Sequence, residues 1–207
     1  MGGQEPDLGR LPAEKRREQL LDRAAELFAQ RGYARATTAE LSKAAGVTEP
    51  IIYRHFKSKR ELFIALIERT ADQTLRHWKD RLAGASDSAE RLRRLIGENP
   101  MVTPEGRAPY RVLLQAITET DDADIRKAVG THFYNLHAFL AKELKKAQDE
   151  RKSLKSFSPE LIAWTLLHVG LGYGVLSALG VEHQGEDPHG AHVQELIERL
   201  LIGKHAE

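Results

Sequence analysis

Apolar residues along this chain recur with helical spacing almost throughout. Leu20, Ala24, Leu27 and Phe28 stand at offsets 0, 4, 7 and 8. That is one face of a helix and predicts a helix over 13–31, closed by Gly32. Thr37 with Glu40 reads as a T-x-x-E capping box that opens a short second helix, with Leu41 and Ala44 or Ala45 inward. Gly46 interrupts. Thr48 can then cap a third short helix, with Pro50 in its first turn and its end near His55. Ser58 with Glu61 forms a second box and opens a helix over 58–83. Residues 84–88 read as a turn, and a helix is expected over 88–98. Residues 99–109 hold three prolines and a glycine and are expected to be a loop. Further helices are expected over about 110–119, 122–150, 158–179 and 189–203. The last carries Val193, Leu196, Ile197, Leu200 and Leu201 as a broad apolar stripe. No internal repeat and no useful β alternation appears. The fold expected is all-α, nine helices, three short ones forming a head and six forming a body.

Composition narrows the class. The 207 residues are 41% hydrophobic and 29% charged, ordinary globular usage, which excludes wholesale disorder. With 0 cysteines, a disulfide scaffold, a cysteine-ligated zinc and a cysteine nucleophile are excluded. No uninterrupted run of about 18 apolar residues is present, so no membrane partner is expected. The opening MGGQEPDLGRLP has neither a basic start nor an apolar run and is not expected to be a secretory signal. Pro6 stands where a myristoylation pattern needs Ser or Thr. Residues 1–12 are expected to form a disordered tail. Charge is unevenly distributed: residues 10–60 carry 12 Lys and Arg against 6 Asp and Glu, whereas residues 61–207 carry 19 against 22. A basic head on a mildly acidic body points toward a polyanion at the head.

The head has the punctuation of a helix-turn-helix over 38–55, whose second helix enters the major groove. Ala44, Ala45 and Gly46 permit a close crossing. Val47, Ile52 and Phe56 can anchor the second helix. Tyr53, Arg54, His55, Lys57 and Lys59 can line the outer face. Tyr53 and Phe56 could instead be core aromatics, Lys57 and Lys59 solvated charges, and Arg54 could pair with Glu49, although an offset of five suits a helical pair poorly.

The stretch GYARATTAELSKAAGVTEPIIYRHFKSKRELF resembles the DNA-binding domain of the TetR family of bacterial transcriptional regulators. The matching features are Gly32-Tyr33, Thr37-Thr38, Ala44-Ala45-Gly46-Val47-Thr48, Tyr53-Arg54-His55-Phe56 and Lys59, within about residues 14–66. The resemblance implies a DNA-binding set of Thr37, Thr38, Thr48, Glu49, Pro50, Ile51, Tyr53, Arg54, His55, Lys57 and Lys59. Within it, Thr38, Tyr53, His55 and Lys59 would contact phosphates, while Glu49, Pro50, Ile51 and Arg54 would meet bases. Arg54 is the candidate for bidentate guanine recognition, Ile51 for a thymine methyl and Glu49 for a cytosine amine. Ala39 occupies a position where some members place a base-reading side chain, so the second helix is expected to read little. Domains follow: residues 13–57 as the helix-turn-helix domain and 58–207 as a helical effector-binding and dimerisation domain.

One helix-turn-helix makes few contacts, so two copies on a two-fold axis are expected to read a palindromic operator in double-stranded DNA. The segment 158–179 is apolar nearly all round. Gly170, Gly174 and Ala178 recur every four residues as a small strip. With Trp164, Leu167 and Leu171, and with Leu196, Ile197 and Leu200 of the last helix, they form the expected homodimer interface. Family resemblance implies a four-helix interface from the same two helices. Trp78, Tyr110, Phe133, His137, Trp164 and His168 are the candidate lining of a pocket for a small hydrophobic or amphipathic effector, though aromatics at such spacing also serve as plain core. His189 with His192, and His132 with His137, raise a metal site, but no Asp or Glu completes a ligand set, and no catalytic motif is present. No metal, cofactor or enzymatic activity is expected. The reading is a cytoplasmic, ligand-responsive, DNA-binding repressor in which helix 58–83 transmits the ligand's effect. Two rivals are an all-helical enzyme or metal-binding protein with an incidental basic surface, and a nucleoid-type binder without effector.

Overall fold

In a computed structural model, residues 12–97, 99, 101, 104–119, 121–153, 155–181 and 191–202 are described. The expected tail over 1–12 falls outside them, Pro12 excepted. Among the described residues there are nine α-helices, one 3-10 segment and no strand. The helices are α1 (Ala13–Arg31), α2 (Thr38–Ala45), α3 (Glu49–His55), α4 (Lys59–Leu82), α5 (Ser88–Ile96), α6 (Pro104–Leu114), α7 (Ala123–Asp149), α8 (Pro159–Ala178) and α9 (Ala191–Leu201). The 3-10 segment, Gln115–Glu119, links α6 to α7.

The head follows its local chemistry closely. α1 buries Leu20, Leu21, Ala24 and Phe28 and stops at Gly32, whose φ of 82° suits glycine. The Thr37 hydroxyl accepts the Glu40 N–H at 3.1 Å, and the Glu40 carboxylate accepts the Thr37 N–H at 3.0 Å, completing the box. α2 turns into α3 through Gly46 at φ 64°. Two caps differ from expectation. Thr48 precedes α3 with extended backbone but makes no side-chain cap bond. At α4, Ser58 accepts the Glu61 N–H, but the Glu61 carboxylate reaches the Lys57 N–H at 2.8 Å instead of returning to Ser58.

The core runs across the expected boundary at 57/58. Leu41, Ile52 and Phe56 share one cluster with Leu62, Phe63 and Leu66 of α4 and with Tyr110 and Ile125 farther on. Phe28, Tyr33 and Phe63 meet as rings: Tyr33 stacks on Phe63 at 4.2 Å, and Phe28 sits edge-on to both. α4, 24 residues long, spans about 36 Å and joins this cluster to a second one around Trp78, Leu92, Leu136 and Leu144.

The expected loop over 99–109 is a correction. A helix begins at Pro104, where proline's missing N–H costs nothing, and Pro109 sits inside it. The helix expected to reach 119 ends at Leu114 and tightens into the 3-10 segment. One helix passes a composition test that uninterrupted apolar runs do not reveal. Among the described residues α8 is long and apolar enough to cross a membrane by length and composition, with an 18-residue window of mean hydropathy 1.5. Gly, Thr, His and Ser break its apolar run, yet the aliphatic residues keep the mean at that value. α8 lies along α7 and buries only Ile162, Ala163 and Gly174.

Candidate nucleic-acid interface and body cavity

On the head, α3 turns Tyr53 and Arg54 outward while Ile52 and the following Phe56 are buried. Thr37, Thr48, Pro50, Tyr53, Arg54 and Lys57 are exposed, and Thr38, Glu49, Ile51 and His55 are half-buried. Ten of the eleven expected residues thus lie, exposed or half-buried, on α2, α3 and the residues that flank them. The Thr38 hydroxyl donates to the Glu49 carboxylate at 2.8 Å and lies 3.2 Å from the Tyr53 hydroxyl. Glu49 is therefore tied to α2 and not to Arg54, whose guanidinium has no intramolecular partner among the described residues. The Thr37 hydroxyl is used by the cap. Arg17 of α1 lies over the Phe56 ring at 4.9 Å, bracing the end of α3 against α1.

Lys59 is the exception. Its ammonium donates to the carbonyls of Tyr33, Ala34 and Ala36 at 2.9, 3.1 and 3.1 Å and lies 4.5 Å from the Tyr33 ring centre. All three of its protons are engaged, so the expected phosphate contact gives way to a brace across the α1–α2 turn.

In the body, a cavity of about 140 Å³ lies between α4, α5, α6, α7, α8 and α9. Trp78, Tyr110 and Phe133 line it, as expected. Leu136, Leu140, Leu166 and Met101 complete much of its apolar wall, with Asn99 and Gln194 as polar groups. These were missed because leucines at helical spacing read as plain core, and Asn99 and Met101 lie in a proline-rich stretch.

Beside the cavity runs a buried relay. The Thr74 hydroxyl donates to the Thr70 carbonyl, the Tyr110 hydroxyl lies 3.3 Å from Thr74 and 3.3 Å from His132 Nε2. Burial pushes Tyr110 up to about 12 and His132 down to about 4, so His132 is neutral at pH 7. His132 Nδ1 and Trp78 Nε1 are buried without a partner among the described atoms.

His137, Trp164 and His168 do not line the cavity. They stack on the outer side of α7 and α8, Trp164 lying 4.4 Å from His137 and 6.1 Å from His168. Tyr134 meets Trp164 edge-on. On α7, residues 134 and 137 are each one step, about 100°, round the helix from the inward Phe133 and Leu136. The His137 ring also bonds the Glu160 carbonyl at 3.0 Å. Among the described residues no group of three or more His, Asp or Glu could hold a metal ion, and His189 lies outside them.

The small strip on α8 faces inward, a second correction. Asn99 Nδ2 donates to the Gly170 carbonyl at 2.8 Å, and a methyl on Gly174 would meet the Met101 side chain at 2.5 Å. Leu167, Leu171 and Ile197 line the cavity. The open stripe lies about 200° away and runs Leu161, Thr165, His168, Gly172, Leu176, Leu179, in steps of three and four. Leu179 is 72% exposed, and on α9 Leu196 and Leu200 are 59% and 63% exposed. Gly172 has nothing within 4 Å of where a Cβ would be. Trp164 is half-buried at the margin of this stripe, and Ala178 is half-buried beside Gly174.

The model of the family described as bacterial regulatory proteins, tetR family, matches residues 20–66. The transcriptional activator FasR of Mycolicibacterium smegmatis is 37% identical over 128 residues, covering 53% of this chain and 58% of that one. The nucleoid occlusion factor SlmA of Marinobacter nauticus is 32% identical over 133 residues, covering 64% and 68%. The chain thus spans between about half and two thirds of the length of these two relatives. Among solved structures, reduced E. coli NemR superposes with a TM-score of 0.77 at 20% identity, covering 92% of this chain and 100% of NemR. A regulator from Saccharomonospora viridis in complex with choline gives 0.75 at 22%, covering 89% and 94%. At such identities the structures establish the shared fold.

Proposed function

Because the chain belongs to the TetR family of bacterial regulatory proteins, we propose that it is a ligand-responsive, sequence-specific DNA-binding transcriptional regulator. It works as a homodimer in the bacterial cytoplasm and represses until a small organic effector releases it. The observation that carries this is the outer face of α3. Tyr53 and Arg54 are exposed on a helix whose opposite side is anchored by buried Ile52 and Phe56. A recognition helix needs that arrangement to enter a major groove without unfolding. Arg54 reads guanine. Glu49, Pro50 and Ile51 adjoin the bases. Thr38, Thr48, Tyr53, His55 and Lys57 approach phosphates.

The second copy sits on the open stripe of α8 with Leu196 and Leu200 of α9. This explains apolar surface that would otherwise face water, and it assigns that surface to a protein partner rather than to a membrane. The body cavity holds the effector. Its apolar wall suits a hydrophobic or amphipathic molecule, and a volume near that of cavities that admit benzene suits a compact one. Moving the head equilibrium from 99:1 to 1:99 requires about 5.5 kcal/mol of preference by the ligand for one state.

Footprinting on the DNA upstream of its own gene tests the reading. A discrete protected site with two-fold symmetry is expected. Smooth, sequence-blind binding would leave a general DNA binder without effector, and no binding at low salt would overturn the reading.

A further inference from the structure

Besides the apolar core they share, three polar contacts fasten the head to the body. Arg69 of α4 reaches Glu18 and Asp22 of α1, and the Lys59 ammonium at the start of α4 holds the Tyr33, Ala34 and Ala36 carbonyls. The carboxylates that Arg69 meets are exposed, and ion pairs with exposed partners hold geometry weakly. The third fastening is a neutral amide. Gln115 opens the 3-10 segment; its Oε1 accepts the Tyr33 N–H at 2.6 Å and its Nε2 donates to the Phe28 carbonyl at 2.8 Å.

Both bonds go to backbone, and both go to the turn that directs α1 into α2. There Gly32, at φ 82° and ψ 146°, reverses the chain. Tyr33 is held on its other side by its ring, stacked on Phe63 and covered by the Lys59 ammonium. An amide bonded through both its donor and its acceptor has one seat. A slip of the 3-10 segment by a single residue's rise, about 2 Å, would break both bonds. Gln115 follows directly on α6, and Tyr110, on the cavity wall, lies on α6 five residues earlier.

We propose that Gln115 is a positioning residue for DNA binding: it sets the seat of the head on the body and delivers movement of α6 at the cavity to the α1–α2 turn. The proposal rests on the DNA-binding reading above. It adds a route from cavity to head that does not pass along α4.

The chain has no cysteine, so spin labels can be placed at Lys43→Cys on α2 and Lys142→Cys on α7, both exposed. Full-length labelled protein diluted with unlabelled protein gives the head-to-body distance within one chain by pulsed electron paramagnetic resonance. Gln115→Ala should displace that distance or at least double the width of its distribution. It should weaken binding to the upstream DNA on the order of tenfold, as the loss of two hydrogen bonds would. Gln115→Met keeps the packing volume without either bond and should behave alike, and its helix content should match that of the parent.

Gly174→Ala, which crowds Met101 at the cavity, should shift the distance in the parent but not in Gln115→Met. Distances unchanged in both Gln115 variants overturn the proposal. A Gly174→Ala shift that survives Gln115→Met overturns the α6 route. Failure of the parent to bind DNA overturns the functional reading instead, and the distances still decide the clasp.

Discussion

In the head, three helices together with the start of α4 bury Phe28, Ile52, Phe56 and Phe63 almost completely and turn hydroxyls and cations outward. In the body, the 20-residue α8 buries three residues and leaves leucines uncovered, while the helices around it enclose a cavity. Complete packing gives the head one shape to present to DNA. The body is built with surface and space left over, and those are what a second subunit and a ligand require. The same element therefore serves rigidity in one region and incompleteness in the other.

The comparison breaks most visibly at the open stripe. Leu176→Glu with Leu200→Glu should convert the dimer to monomer by analytical ultracentrifugation. It should weaken binding to the upstream DNA by about 10²–10⁴-fold, the gain that linkage of two heads supplies, with the helical signal unchanged. In the head the equivalent insult acts on stability. Phe63→Ala should cost about 3–5 kcal/mol in urea unfolding, because the ring is fully buried between Phe28 and Tyr33.

The cavity side has a pH signature. His132 is pushed down to about 4 from its ordinary 6.5 by burial. Between those values the unfolded chain binds a proton that the folded chain does not. Stability therefore rises with pH across that window and is lost as pH falls through it, by about 3 kcal/mol in all. His132→Phe should flatten the melting temperature between pH 6.5 and 4.5. An unaltered slope would put the acid sensitivity elsewhere.

On the head, Arg54→Ala should relax sequence preference by about 1–3 kcal/mol, measured by competition between operator variants. Lys57→Ala should instead weaken all sequences alike and lower the salt slope by about one unit. Smallest of all, Thr37→Ala should cost about 1 kcal/mol of stability and Thr48→Ala only a few tenths, since Thr37 makes a cap bond and Thr48 does not.

What could be read from sequence divides along the same line. The head was legible because its signals are local: Thr37 with Glu40, the two turn glycines, and the alternation of Ile52 and Phe56 with Tyr53 and Arg54. Lys59 was not, since sequence places it at a helix start but cannot say that three carbonyls from the preceding turn converge on it. In the body, periodicity located α7 and α8 within a residue or two but not their rotation. Nothing local told that Gly174 would face Met101 while Gly172 faced outward, or that His137 would sit one step off the cavity. Pro104 misled in the other direction, marking a helix start that reads as a loop. Gln115 carries no signal at all, because its meaning comes from backbone 82 and 87 residues away.

Lys59 has a practical consequence. An amine must turn toward a reagent before it can be acylated, and this one is held by three carbonyls against an aromatic ring. Lys43 and Lys57 carry exposed amines on the adjoining head. Under brief treatment with an amine-reactive ester they should be modified first, with Lys59 following only as the α1–α2 corner opens. Its labelling rate is a built-in clock for local unfolding of the domain, readable by mass spectrometry without any substitution.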